Sequence, residues 1–222
     1  MPNDIPRRDR TTSHMLDKRL YQAGYRVIIG VDEAGRGPWA GPLVAGAVAF
    51  DWSTPTLIAL LKGIKDSKQM THNQRVKAVS VIHQQALTYG VGIVSAAELN
   101  EINQMTRATI IAMQRAVAAT THAPDYLLLD YHNLPNYPPE MQEAHKKGET
   151  VSLSIAAASV LAKTTRDEMM IQYAQQYPQY GFDAHKGYGT KQHRQALIDH
   201  GVTPIHRRNY APVAQAIAGT LV

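Results

Sequence analysis

Val27-Ile28-Ile29-Gly30-Val31-Asp32-Glu33-Ala34-Gly35-Arg36-Gly37 joins an apolar run to two adjacent carboxylates, and then to an arginine between glycines. Four β-branched residues within five positions predict a buried strand, and the glycines behind them predict a loop whose backbone can approach a ligand closely. Two carboxylates at the end of a buried strand repel one another and resist desolvation unless a cation neutralises them. Oxygen ligands suit magnesium or manganese, and with no cysteine in 222 residues a thiolate zinc site is excluded. Neighbouring residues of a regular strand face opposite sides, so Asp32 and Glu33 require the strand to end or twist, and irregular backbone is expected at Glu33. Standing alone, Asp-Glu equally fits a solvated acidic turn. Gly35-Arg36-Gly37 offers open backbone N–H groups and a guanidinium that can fork a phosphate, although such residues are also ordinary turn material.

Outward from this segment, Leu43 to Phe50 is a second apolar run that pairs with the first across the glycine loop. Tyr89 to Val94 reads as a third strand and Tyr126 to Asp130 as a short buried one. Thr71-His72-Asn73-Gln74 is a capping-box pattern opening a helix to about Thr88, with Gly90 just past its end. Ser95-Ala96-Ala97-Glu98 repeats the pattern, with an interruption near Asn100 to Asn103 before a longer helix through Ala118. Pro135, Pro138 and Pro139 exclude regular structure from the next loop, a short strand is expected near Val151, and a helix follows from about Ile155 to Gln176. Thr190 caps a further helix, and Gly201 follows its end. A run of strands followed by strands alternating with helices predicts an α/β fold with one sheet and helices against it.

The length suits one domain over residues 25–222, preceded by a polar N-terminal extension over residues 1–24. Residues 1–20 lack the apolar core of a secretory signal, and no stretch approaches about twenty uncharged apolar residues. With the absence of cysteine this predicts a soluble cytoplasmic protein without a membrane partner; a monomer is expected, although the sequence does not itself reveal the oligomeric state. The formal net charge of +5 supports a polyanionic partner. Lys62, Lys65 and Lys68 form one basic zone. His185, Lys186, Lys191, His193, Arg194, His206, Arg207 and Arg208 crowd the C-terminal third with positive or protonatable groups, although solvated side chains explain both zones as well.

Asp130 ends an apolar strand as Asp32 does, and open α/β sheets gather ligands beyond strand ends, although a lone aspartate there is also a turn-former. Asp167 lies four residues after Lys163 and eight after Ser159, so all three share one helical face; a surface ion pair is the alternative. The small side chains of Ala156, Ala157 and Ala158 let that helix approach the sheet. Tyr188, between Gly187 and Gly189, can lay its ring against a sugar or base, or stand as a plain loop residue.

Read as a unit, Gly30 to Pro42 is similar to the signature of type 2 ribonucleases H, the ribonuclease HII family. Ile64-Lys65-Asp66-Ser67-Lys68 resembles that family's Asp-Ser-Lys loop. The run Ser154 to Lys163 with Arg166-Asp167 resembles its alanine-rich helix and terminal metal ligand. His185 to Lys191 and Thr203 to Arg207 resemble its two C-terminal motifs. The resemblance implies a ribonuclease H-like mixed central sheet flanked by helices, with a C-terminal helical substrate-binding segment. It further implies an endoribonuclease cutting RNA in RNA–DNA hybrids and 5′ of ribonucleotides embedded in duplex DNA, leaving 3′-hydroxyl and 5′-phosphate ends. By the same resemblance, Asp32, Glu33, Asp130 and Asp167 would hold two Mg2+ or Mn2+ ions about 3.5–4 Å apart. Gly35, Arg36, Gly37 and Tyr188 would read the junction between a ribonucleotide and the following deoxyribonucleotide, with Lys68, Ser159, Lys163 and Lys186 as further substrate contacts.

The sequence departs from the family pattern in three places. Tyr131 stands where the family usually has glycine, so the loop after Asp130 is expected to resist positive φ. Glu149 replaces an aspartate, and Asn209-Tyr210 replaces Ser-Phe. Two other classes fit parts of the chain. A non-catalytic nucleic-acid-binding module would explain the charge, and a hydrolase of small phosphate esters would explain the carboxylates but leave the Gly-Arg-Gly loop without a task.

Overall fold

The apolar run around Ile29 lies at the centre of a five-stranded sheet in the computed structural model, which describes residues 12–221. β1 (Ile28–Ala34) pairs antiparallel with β2 (Leu43–Phe50) and parallel with β4 (Tyr126–Asp130). β3 (Ala86–Val94) flanks β2 antiparallel, and β5 (Gln142–His145) flanks β4 parallel. All of β2 and the first five residues of β1 are buried, which is why β2 and Ile28–Val31 read as unbroken apolar runs, whereas β3 alternates toward solvent. The mixed sheet with helices against it is the fold the sequence predicts.

The helices are α1 (Met15–Gln22), α2 (Leu57–Leu60), α3 (His72–Gln85), α4 (Ala96–Ile102), α5 (Met105–Ala118), α6 (Leu153–Gln176), α7 (Phe182–His185), α8 (Lys191–His200) and α9 (Ala211–Ile217). On one face of the sheet, Ala108, Ala112, Met113 and Ala116 of α5 join a core with Ile29, Val31, Ala45, Ala47 and Leu127. On the other, Ile82 of α3 and Ala156, Ala157 and Ala158 of α6 meet Val48 and Phe50. A third cluster, built from Met170, Tyr180, Phe182, Leu197 and Val213, ties the C-terminal helices to α6. The alanine run alone does not set the distance of α6 from the sheet. A Cβ on Gly30 would lie 2.1 Å from the Ser154 carbonyl carbon, and one on Gly46 would lie 2.4 Å from the Ala158 oxygen.

Both capping boxes form, and Asn103 breaks the chain between α4 and α5 in the left-handed conformation at φ 50°. Three local expectations are corrected. α3 ends at Gln85 and not near Thr88, because residues from Ala86 onward pair with β2; Gly90 is therefore no helix terminator but a strand position that α5 crosses closely. The strand expected near Val151 is instead β5, whose polar sequence hides it, and Gly148–Thr150 forms a 3-10 turn. The backbone is also regular at Glu33: β1 pairs with β2 as far as Ala34↔Val44, and the break comes at Gly35, with φ 102°.

Within residues 12–24, α1 docks on the domain. Its buried Asp17 accepts hydrogen bonds from Ser152 Oγ (3.0 Å) and the N–H groups of Leu153 (2.9 Å) and Ser154 (3.3 Å), at the start of α6. Burial pushes the Asp17 carboxyl up to about 6 against the pull of these bonds. Residues 1–11 of the expected extension lie outside the described residues. Among the described residues no helix is long and apolar enough to cross a membrane.

Candidate metal centre and substrate-reading loops

Pairing between the parallel strands β1 and β4 ends at Val31↔Leu129, so Asp32 and Asp130 stand side by side where those two strands part, each still held in the sheet by its other neighbour, Asp32 opposite Gly46 of β2 and Asp130 opposite His145 of β5. Oxygens of Asp32, Glu33 and Asp130 lie within 4.8 Å of one another. Glu33 joins Asp32 without any kink in β1. Burial pushes the Asp32 carboxyl well above the usual carboxylate range, and the negative charges of Glu33 and Asp130 add to it. Glu33 is raised first by burial and further by Asp130, while Arg36 and Lys68 oppose the shift. Its Oε2 is buried without a hydrogen-bond partner. Three crowded carboxylates and an unpartnered buried oxygen fit a hard divalent cation, which would neutralise the repulsion and fill the missing contact.

Asp167 does not belong to this trio. It is buried on α6, where Oδ1 accepts from Lys163 Nζ at 2.6 Å and Oδ2 from Arg75 Nη2 at 3.1 Å. Arg75 also donates through Nη1 to the carbonyls of Met70 (2.7 Å) and Ser67 (3.3 Å), fastening the Asp-Ser-Lys loop to α6. Sequence reading missed Arg75, because a lone arginine in the first turns of α3 has no local signature. Ser67 and Ser159 share a 2.9 Å hydrogen bond, and Ser159 in turn hydrogen-bonds Asp32. Burial pulls the Lys68 amine down, but Asp32, Asp66, Glu149 and Asp130 outweigh it and raise its pKa. Burial lowers Lys163 against the pull of Asp167.

The Gly35–Gly37 loop and the Tyr188 loop are held by two buried arginines. Arg166 donates to the carbonyls of Pro42 (3.0 Å), Ala40 (3.1 Å) and Lys186 (3.0 Å). Arg207 donates to those of Gly41 (2.9 Å), Pro42 (2.9 Å) and Arg36 (3.2 Å), and the Tyr210 hydroxyl also donates to Arg36 O. Gly35 is obligatory here, because a Cβ would lie 2.3 Å from Arg166 Nε. Tyr188 stands half exposed beside Gly37, and the Lys186 amine hydrogen-bonds the Asp183 carbonyl. The basic C-terminal zone is thus corrected in part: Arg207, His193 and His206 are buried scaffold, not a face for a polyanion. Arg207 and His193 bond neighbouring carbonyls and His206 bonds His193 and the Thr203 N–H, which composition cannot distinguish from surface charge.

His206 Nδ1 accepts from the Thr203 N–H at 2.8 Å, so its Nε2–H donates to His193 Nε2 at 3.0 Å, and His193 Nδ1–H donates to the Tyr188 carbonyl at 3.0 Å. Burial, the larger cause for each, holds both imidazoles down to about 4. The unfolded chain, with histidines near the ordinary 6.5, binds more protons than the folded one between these values. The stability these two histidines contribute is therefore complete above pH 6.5 and is lost as pH falls toward 4, on the order of 3 kcal/mol for a depression of that size. The raised carboxyls act in the opposite sense in wild type and variant alike, so the comparison isolates the pair: between pH 7 and 4.5 the urea midpoint of His193→Gln is expected to fall less, or rise more, than that of the wild type, and an equal change in both proteins rejects this assignment.

The model of the family described as Ribonuclease HII matches residues 29–213 of this chain. A ribonuclease HII of Bacillus pumilus is 49% identical over 195 residues, covering 88% of this chain and 74% of the relative. The crystal structure of ribonuclease H2 from Pyrococcus horikoshii superposes with a TM-score of 0.72 at 26% identity, covering 87% of this chain and 98% of that one. A ribonuclease HIII, Bst-RNase HIII, solved in complex with Mn2+, shares the fold at a TM-score of 0.68 and 20% identity, covering 90% and 72%.

Proposed function

This chain belongs to the ribonuclease HII family, and from that premise we propose that it is a metal-dependent endoribonuclease that cuts RNA in RNA–DNA hybrids and also the 5′ side of single ribonucleotides embedded in duplex DNA. The observation that carries this reading is the acid trio with its unpartnered Glu33 oxygen, beside two loops clamped by Arg166 and Arg207.

Asp32, Glu33 and Asp130 would hold the divalent ions, and Asp167 would add an oxygen by releasing Lys163 or Arg75. Magnesium and manganese both suit this all-oxygen donor set, and the Mn2+ complex of Bst-RNase HIII supports such a site. Two such ions would lower the pKa of the attacking water and stabilise charge on the departing 3′ oxygen, so that 3′-hydroxyl and 5′-phosphate ends result. No side-chain nucleophile takes part.

The chain's own residues orient the substrate. Backbone N–H groups of Gly35, Arg36 and Gly37 read the ribose 2′-hydroxyl, the group that separates RNA from DNA. Tyr188 packs against the following deoxyribose. Arg166 joins the Tyr188 loop, through Lys186, to Ala40 and Pro42, and Arg207 ties Arg36 to Gly41 and Pro42, so rigid forks fix the two reading loops. Lys68 and Lys163, each beside a carboxylate, balance charge near the scissile phosphate. The protein acts as a monomer in the cytoplasm.

Labelled DNA duplexes carrying one ribonucleotide test this reading. Cutting at the 5′ side of the ribonucleotide is expected with Mg2+ and none with chelator, and Tyr188→Ala should slow junction cutting more than cutting of a long hybrid. Tight binding without cutting after metal is restored would instead identify a binding module. Hydrolysis of a small phosphate ester with the duplex left intact would identify an ester hydrolase.

A further inference from the structure

Tyr131 directly follows Asp130 and has φ 69°. The His132 N–H donates to the Asp130 carbonyl at 2.9 Å, so Tyr131 is the central residue of a three-residue turn with positive φ, the rare and strained form of the γ-turn. With a non-glycine residue here the loop is expected to resist positive φ; it adopts that conformation all the same and strains the tyrosine. The turn is fastened on both sides, with the Tyr131 N–H on the His145 carbonyl (3.2 Å) and the Gly148 N–H on Asp130 Oδ1 (3.1 Å). Burial does not offset the strain, because Tyr131 is 54% exposed.

The ring stands among charged neighbours. Lys146 Nζ lies 5.7 Å from its centroid, and the His132 ring meets it edge-on at 4.7 Å. His132 Nε2 is 3.5 Å from Arg36 Nη1, and that same nitrogen is 3.6 Å from Glu33 Oε1. A continuous strip therefore leads from Glu33 of the acid trio through Arg36, His132 and Tyr131 to Lys146. Tyr188 has the same make-up: 45% exposed, beside Gly37 of the same loop, with Lys163 Nζ 6.0 Å from its centroid. An exposed aromatic face beside a lysine, joined to a metal-binding acid cluster, suits a nucleic-acid strand, whose sugars and bases pack on the ring while the cation meets a phosphate.

We propose that Tyr131 and Lys146 form a second substrate contact, in which the ring packs on a sugar of the duplex and Lys146 pairs with the adjoining phosphate. The contact rests on the nuclease reading and deepens it, extending the bound length of duplex past Arg36. A strained backbone holding an exposed ring is the pattern expected where ligand contact, not folding, uses the side chain.

The test is binding of a labelled RNA–DNA hybrid with metal chelated, alongside cleavage with Mg2+ and thermal melting. Tyr131→Gly relieves the strain and removes the ring; it should melt at or above the wild-type temperature and bind about fivefold more weakly, with KM rising more than kcat falls. Tyr131→Asn, which tolerates positive φ, should weaken binding similarly, and Tyr131→Phe should restore it. Lys146→Ala should reduce the slope of log affinity against log salt by about one. Wild-type affinity in both the Gly and Asn variants overturns the proposal. So does a Phe variant as weak as the Gly variant, or a Gly variant that binds weakly and also melts earlier. Wild-type cutting in the same assay stands apart from these outcomes, and only its absence counts against the nuclease reading.

Discussion

Asp32→Asn is expected to lower the cleavage rate by at least about a thousandfold while leaving hybrid affinity within about threefold and raising the melting temperature. The three effects have one cause. Asp32, Glu33 and Asp130 are three acids forced together at the end of β1 and β4, and burial and mutual repulsion raise the Asp32 and Glu33 carboxyls above their ordinary values. A group whose folded pKa is raised costs stability once the pH passes its unfolded value, so at neutral pH the trio destabilises the metal-free protein. An amide keeps the shape of Asp32 but carries no charge, so Glu33 and Asp130 lose a repelling neighbour. The same change removes one anionic oxygen from the cation site. The lysines and the clamped loops are untouched, which preserves binding. Melting with chelator, hybrid binding and cleavage with Mg2+ report the three effects separately; a variant that cuts at more than about a tenth of the wild-type rate would sink the metal-centre assignment.

Gly30→Ala is expected to destabilise the fold by about 3–5 kcal/mol and to reduce activity along with it. The added methyl would meet backbone, 2.1 Å from the Ser154 carbonyl carbon and 2.3 Å from the Ile155 nitrogen, so no side-chain rotation relieves it. α6 must then move off β1, and α6 carries Ser159, Lys163 and Asp167 to the site. Gly24→Ala separates this effect from simple backbone strain. Gly24 has φ 105° and open space around its Cβ position, so its substitution costs only about 1 kcal/mol. Urea midpoints of the two variants give the comparison, and equal losses would show that helix–sheet contact at Gly30 is not what holds α6 in place.

Legibility in the sequence followed the range of the interaction. The buried strand at Ile28–Val31, both capping boxes and the glycine-flanked arginine depend on neighbours within a few residues, so patterns of the same length reveal them. β5 depends instead on pairing with β4, and its sequence Gln-Glu-Ala-His shows no strand pattern of its own. The end of α3 shifted for the same reason, since pairing with β2 draws Ala86 into the sheet. Charge was the least legible property. Arg207 and Arg166 count as basic residues in composition, yet both are buried and bound to backbone carbonyls, and Arg75 meets Asp167 only through folding.

Local order along the chain determined which acids lie in which strands, where the glycines around Arg36 lie, and that no metal site here can use thiolates, because strand propensity, backbone freedom and the lack of thiols are properties of short segments or of composition. Only the tertiary structure decided that Asp32, Glu33 and Asp130 share one pocket while Asp167 rests on Lys163 and Arg75, and that Tyr131 bears positive φ. The first two outcomes depend on where the parallel strands β1 and β4 stop pairing and on how closely α6 crosses two glycines more than a hundred residues before it, and the third on the hydrogen bonds that hold the chain on either side of Tyr131.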